Sequence, residues 1–534
     1  MSRSLLTYLI KKAFNAAVKT VEADEDHSDQ KSGSSRREFL VKSAISMGML
    51  TGLTSFTETD SLLPTNDTGN IAGINEKQPV ITIIGAGMAG LNFAYQLKKA
   101  GLKSNIYESS NRFGGRMFTV NNLFGEGITT DFGGEWVDEE HYDIKNLCHE
   151  FNIELYDSRA KDLKKHTYYF EGKVLTQQNI YDALSPYVIV LKHDIDRLPP
   201  EITLNNVGAL IDLDQLSITE YLNKINLSGW LYRFLILAME SEYGAEANLQ
   251  SAINLLIILR PPQSIKDMDD FEGQGAEIMK IKGGSQHLCK AVYEKVQQQV
   301  HFLHELIQID PDGKGFLVSF KVNNEFKQLR TDYLVVTIPF SRLRSVRLNL
   351  PLPPIKIKAI NELGYGNSGK FIMGFSDKPW VKMGHIGKLT TDLNCHTGWD
   401  SSLMQSDTIG SYTIFSGGRL SEKLRDTEAL ALAAEFIPEL EKVYPGMAVS
   451  YTGKNEKFIW ETYPHTRGAY SYYKVGQWTG IGGHEAEPFG QLHFAGEHCS
   501  QLWQGYMNGA ALSARLGSVN LIAEIKRKFI PHKS

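Results

Sequence analysis

Cysteine is scarce in this chain: four in 534 residues, Cys148, Cys289, Cys395 and Cys499, all far apart and none in a CxxC pair. That excludes a disulfide framework and the ligand spacing of a structural zinc site. His141, His287 and His484 lack ligand-like spacing too, so no metal is expected. No apolar run reaches the roughly 18 residues that cross a bilayer as a helix. Neither sign of charge is in excess, with 56 basic against 61 acidic side chains and a net charge of −5. This balance argues against nucleic acid or an anionic membrane surface as a partner. What remains, 42% hydrophobic and 22% charged residues, is ordinary globular composition. Beyond an N-terminal preamble the chain holds two to three domains' worth of sequence at about 150 residues each.

Residues 1–78 read as a targeting segment and linker. Ser35-Arg36-Arg37-Glu38-Phe39-Leu40-Val41-Lys42 precedes a weakly apolar stretch, and this pattern resembles a twin-arginine export signal. Export to a periplasm by that machinery is therefore expected. The alternative is a cytoplasmic protein whose tail carries a chance arginine pair. Thirty-four residues precede the motif and no A-x-A cleavage site follows it.

The folded chain begins at Pro79. Val80-Ile81-Thr82-Ile83-Ile84 has the pattern of a buried parallel strand. Gly85-Ala86-Gly87-Met88-Ala89-Gly90 follows at once, then a helical pattern to Ala100 closed by Gly101, then a strand from Lys103 to Tyr107 ending on Glu108. Strand, glycine-rich turn, helix, strand and acid in this order form a dinucleotide-binding fingerprint. Gly85 permits the tight turn, Gly87 admits a pyrophosphate to the backbone, and Gly90 allows helix and strand to pack closely. Met88 and Ala89 open the helix whose N–H groups face the phosphates. Glu108 is placed to accept hydrogen bonds from a ribose diol.

Downstream come Gly114-Gly115-Arg116 and Asp131-Phe132-Gly133-Gly134-Glu135-Trp136. On these strings the sequence resembles the flavin-dependent amine oxidase family, which contains monoamine, polyamine and L-amino-acid oxidases, and the resemblance covers residues 79–527. It implies FAD as cofactor, with Gly115 and Arg116 on the adenosine and pyrophosphate side and Gly133, Gly134, Glu135 and Trp136 passing the ring system. It further implies cofactor roles for Leu306 near the adenine, for Gly496 and Glu497 in Phe494-Ala495-Gly496-Glu497, and for Tyr506 and Met507 at the start of a C-terminal helix. Asn508 departs from a frequent Glu.

The same resemblance implies the catalytic residues. Lys370, in Gly369-Lys370-Phe371, would hold a water near the flavin. Trp460 would flank the flavin, and Tyr470 and Tyr506 would form the two walls of an aromatic cage. Residues 458–478 hold seven aromatics, against a chain average of 10%. Two facing rings suit an amine, because hydride leaves the adjacent carbon readily only when the nitrogen is neutral, and an apolar slot disfavours the ammonium. Ala469 stands where some monoamine oxidases carry a flavin-linking cysteine, so non-covalent FAD is expected. His498 and Cys499 read as packing.

The fold expected is α/β and two-lobed. A Rossmann-like FAD lobe with a parallel sheet is built from 79–145, 275–345 and 485–527. It is interleaved with a mixed α+β substrate lobe from 146–274 and 346–484, the site lying between them. The expected activity is FAD-dependent oxidation of a small amine to an imine, with O2 reduced to hydrogen peroxide. L-amino-acid and polyamine oxidation are the alternatives, and a non-catalytic flavin protein is the rival from another class. Glu135, where amino-acid oxidases have arginine nearby, favours amines. The sequence leaves the oligomeric state open, a homodimer included.

Overall fold

Ile81–Ile84 is apolar, largely β-branched and buried along its whole length, the requirement for an inner strand of a parallel sheet. It pairs in parallel with Asn105–Tyr107 on one side and Tyr333–Val336 on the other. Val300–His301 and Leu492–Phe494 extend the sheet at its two edges, again in parallel. Segments more than 400 residues apart in sequence thus share one sheet in this computed structural model, which describes residues 78–529 apart from 161–162, 164–165, 200–201, 204 and 261–277. The arginine motif and the acidic run at 267–270 lie outside the described residues.

Helix Met88–Lys99 buries Leu91, Phe93, Ala94 and Leu97 and packs against Ser285–Val296 and the long helix Met507–Phe529. It ends as expected, with Gly101 at φ +80° immediately after Ala100. The second large sheet is mixed and seven-stranded, in the order Tyr451–Ile459, Gly369–Phe375, Gly410–Ser416, Thr397–Asp400, Leu389–Thr391, Thr167–Phe170, Lys173–Leu175. All seven residues of Gly369–Phe375 are buried, so Lys370 sits on an inner strand. Gly229–Tyr243 and Ala252–Leu259 are helices, and the second buries all eight of its residues. Among the described residues no helix is long and apolar enough to cross a membrane.

The residues read locally as one strand over Gln299–Ile309 followed by a hairpin turn over Asp310-Pro311-Asp312-Gly313, and both readings need correction. The strand pattern at 299–309 divides into Val300–His301, at the edge of the parallel sheet, and Glu305–Asp312, which pairs antiparallel with Gly315–Val322. The hairpin turn falls at Gly313-Lys314, overlapping Asp310-Pro311-Asp312-Gly313 only at its last residue. Pro311 is tolerated in the strand because the neighbour on its other side pairs only with Gln308 and Ile309, leaving the proline's position on a free edge.

Candidate active site

The glycine turn is built as its spacing demands. Gly85 has φ +103°, and a Cβ at Gly90 would come within 1.9 Å of the Gly85 carbonyl oxygen. Only glycine fits at Gly90, which packs beneath the turn. Gly87 caps the helix with no side-chain hydrogen bond, and a Cβ there would meet nothing closer than the Gly115 Cα at 3.8 Å. The first-turn N–H groups therefore open onto free space, the electrostatic setting for a phosphate. Glu108 lies beside them: Oε2 accepts from Ala86 N and Oε1 from Ser110 N, both at 2.8 Å. Gly114 N donates to Ala86 O at 2.8 Å and fastens the second glycine loop to the first.

Arg116 leads from this end to the middle of the site. Its Nη1 donates to Glu497 Oε1 at 2.7 Å and to Ala469 O at 2.8 Å. Glu497 Oε2 accepts from Ser471 Oγ and from Gly505 N, both at 2.7 Å. Burial would raise the Glu497 pKa, but Arg116 and the surrounding donors hold it below the usual carboxylate value. One ionised carboxylate thus ties the arginine loop to the segments carrying Tyr470 and Tyr506.

At the Gly133-Gly134 segment the backbone is crowded. A Cβ at Gly133 would lie 1.8 Å from Arg116 O, and one at Gly134 would lie 2.8 Å from the Met507 side chain. The Lys370 ammonium donates to Asp131 O at 2.8 Å, Gly133 O at 3.0 Å and Glu135 Oε2 at 2.7 Å. All three hydrogens are directed at protein acceptors, so the water-holding role implied by the resemblance would require giving up one of these bonds. Glu135 also meets Lys280 at 2.7 Å through Oε1 and accepts from Trp399 Nε1 at 3.1 Å. Burial acts to raise the Glu135 pKa, and the two lysines overcome it and hold the carboxyl low. Glu135 therefore does not present a bare negative charge to a substrate: two cations, Lys370 and Lys280, meet this one anion.

The aromatic residues converge on the same space. Trp460 donates from Nε1 to Phe132 O at 3.0 Å, which fixes its ring. Tyr470 OH accepts from Ser368 Oγ at 2.9 Å and donates to Ser241 O at 3.1 Å. Tyr506 OH donates to Glu242 Oε1 at 2.6 Å, and its ring packs 5.2 Å from that of His141. Asn508 Oδ1 accepts from Ile144 N at 3.1 Å, a structural use for the residue that departs from the pattern. His498 is buried against Phe340, and burial lowers its pKa to about 4.

One cavity is lined by Lys370, Trp460, Tyr470 and Tyr506, and by every residue expected to hold cofactor except Gly90 and Leu306. Leu306 is buried opposite Phe320 in the core and is not brought to the cavity. None of the four cysteines lines it. Sequence reasoning missed Lys280, Trp399, Glu242 and Lys388; the last lies 3.8 Å from the Trp136 ring centroid. The available signals were Lys280 inside the apolar strand Met279–Ile281, and Glu242 in the last turn of the largely apolar helix Gly229–Tyr243. Among the described residues no cluster of acidic, histidine or cysteine side chains is arranged to hold a metal.

Three relatives share the pattern over most of their length. A flavin-containing amine oxidase of Danio rerio is 24% identical over 459 residues, 82% of this chain and 84% of its own. An L-amino-acid oxidase of Pseudechis australis is 24% identical over 471 residues, 83% of this chain and 87% of its own. The solved cyclohexylamine oxidase of Brevibacterium oxydans superposes with a TM-score of 0.75 at 20% identity, covering 84% of this chain and all of that one. The sequence model of flavin containing amine oxidoreductases matches residues 88–522, most of the chain, and the chain belongs to that family.

Proposed function

We propose that the protein oxidises a primary or secondary amine to the imine, which hydrolyses to aldehyde and ammonia, or to aldehyde and a primary amine where the substrate is secondary, while O2 is reduced to hydrogen peroxide. The observation that carries this reading is the convergence of Tyr470 and Tyr506 with Lys370 on one cavity wall system. FAD, the cofactor of the family, supplies the hydride acceptor. The residues present fit it: an uncapped helix N-terminus at Gly87 for the pyrophosphate, Glu108 for the ribose, and glycines 133 and 134 where no side chain has room. With no cysteine on the cavity wall, the attachment is non-covalent.

The chain's own residues then have separable tasks. Tyr470 and Tyr506 orient the amine and keep it desolvated, so that it reacts as the neutral base. Their hydroxyls are held by Ser241, Ser368 and Glu242, which fixes both rings. Trp460 closes the side of the site, and Lys370 places a cation at the wall. The two-lobed division read from the sequence belongs to this proposal, the parallel sheet carrying the cofactor and the mixed sheet the amine. Export through the twin-arginine route rests on residues 35–42 alone. Fractionation of the tagged chain and of an Arg36→Lys, Arg37→Lys variant tests it.

A second reading, L-amino-acid oxidation, is favoured by one observation: two lysines meet Glu135 and a third, Lys388, lines the same cavity. Anaerobic mixing of the purified holoprotein with 2-phenylethylamine, spermidine and L-phenylalanine separates the readings. Bleaching of the flavin band by phenylethylamine supports the amine assignment. Bleaching by phenylalanine alone transfers it to amino acids, and by spermidine alone to polyamines. No bleaching by any of the three sinks the proposed substrate classes.

A further inference from the structure

A lysine, a glutamate and a second lysine form a buried row running from the cavity wall inward. Lys370 and Glu135 line the cavity; Lys280 stands behind them and does not. Lys280 reaches this place through strand pairing, since Met279–Ile281 lies between Trp136–Val137 and Leu155–Asp157, with Trp136 opposite Lys280. Its ammonium meets Glu135 Oε1 at 2.7 Å and donates to Ser401 O at 2.6 Å. Side chains of all three residues are 5% exposed or less. An ion buried this deeply is costly unless its partners are close and fixed, and here they are.

The arrangement is more than a pair. Lys370 and Glu135 alone would cancel. Lys280 on the far carboxylate oxygen restores one positive charge. A further acid close by is Asp131, whose Oδ1 accepts from Thr119 Oγ1 at 2.6 Å and from Ser285 N and Oγ at 3.0 and 2.9 Å. Its contribution is common to every variant considered below.

We propose that Glu135 and Lys280 are positioning residues acting through Lys370: Glu135 pins the Lys370 ammonium against the carbonyls of Asp131 and Gly133, and Lys280 offsets the charge of Glu135 so that the wall stays cationic. A cationic wall favours the reduced cofactor, which carries more negative charge than the oxidised one. Removing Lys280 therefore makes reduction harder, and removing the charge of Glu135 makes it easier, although neither change touches the amine.

The test uses holoprotein and a chemical reductant. The flavin midpoint potential is measured by dye-coupled reduction in wild type, Lys280→Met, Lys280→Arg and Glu135→Gln, and reoxidation by O2 is followed by stopped flow. The expected order of potential, from most positive, is Glu135→Gln, then wild type with Lys280→Arg, then Lys280→Met. Reoxidation is expected to slow about tenfold or more in Lys280→Met despite the lower potential, because O2 gains negative charge as it accepts electrons and the cation that stabilises that charge is lost, the scale of one unit charge at this range. Equal potentials in Lys280→Met and Lys280→Arg would overturn the proposal, and that pair suffices should Glu135→Gln fail to fold. The inference rests on the flavin reading and not on the amine reading. Failure of every amine to bleach the flavin would leave it standing, whereas amine bleaching with flat potentials would remove it alone.

Discussion

Glu497→Gln should damage the site more than an isosteric change suggests, because this carboxylate serves four donors at once. Oε1 accepts from Arg116 Nη1 at 2.7 Å and Ser471 N at 3.2 Å; Oε2 accepts from Ser471 Oγ and Gly505 N at 2.7 Å each. A glutamine offers oxygen on one side only. With that oxygen toward Arg116, the Gly505 N–H faces an NH2 group, and only the Ser471 hydroxyl can rotate to accept. The loss is one charge-assisted bond weakened to a neutral one and one buried donor left unmet, each about 1–3 kcal/mol. Breaking a fully buried ion pair costs about 3–5 kcal/mol. Arg116 is 21% exposed, so water recovers part of this, and about 3 kcal/mol is expected. For a chain this long, at about 2.1 cal/mol/K per residue, that lowers the thermal midpoint by only about 3 °C. The sharper assays are therefore release of flavin by fluorescence and turnover per bound flavin. Flavin release should rise and turnover should fall, since Ser471 and Gly505 flank Tyr470 and Tyr506. A double-mutant cycle with Arg116→Met should show a coupling of about 2 kcal/mol. Additive losses, with flavin retained at wild-type affinity, would refute the view that Glu497 holds the loops together.

Lys370→Met is expected to lower the oxidase rate about a hundredfold, in line with loss of one fixed electrostatic contact, and to leave flavin content near wild type; an unchanged steady-state rate would count against its catalytic role. Gly90→Ala should abolish flavin binding and yield little soluble protein, because its Cβ would lie 1.9 Å from the Gly85 carbonyl oxygen; normal yield with bound FAD would contradict the geometry of the turn. Burial raises the pKa of Glu485 to about 7, above its unfolded value near 4.5. Its folded form thus binds the proton more tightly, so its contribution to stability falls as pH rises from 4.5 to 7 and is level above that. Glu485→Gln removes the loss, and its stability relative to wild type should rise by about 3 kcal/mol across that window in denaturant titrations; a pH-independent difference would refute it.

What was legible in the sequence and what was not divides along sequence separation. The strand, turn, helix and acid from Ile81 to Glu108 are near neighbours in the chain, and each residue's task is set by local geometry. Gly85 must reach positive φ and Gly90 must lack a Cβ whatever the rest of the fold does. Tyr470 and Tyr506 were read from aromatic density and flanking strings, yet their anchors were not, because Ser241 and Glu242 lie more than 200 residues away. Lys280 shows the limit most clearly. It is 145 residues from Glu135, and nothing in its neighbourhood names a partner; only the antiparallel register of Trp136 against Lys280 brings them together. Its one signal is chemical. A lysine in the middle of the buried run Ile278–Ile281 must pay for desolvation, and a buried cation requires a fixed anion nearby. The opposite failure occurred at Leu306, where a family position was carried over although the strand's own pairing with Phe320 turns that side chain into the core. An unpaired charge within an apolar strand is thus a better guide to the undiscovered part of a site than an apolar residue placed by likeness, because burial of a charge has to be compensated and burial of a leucine does not.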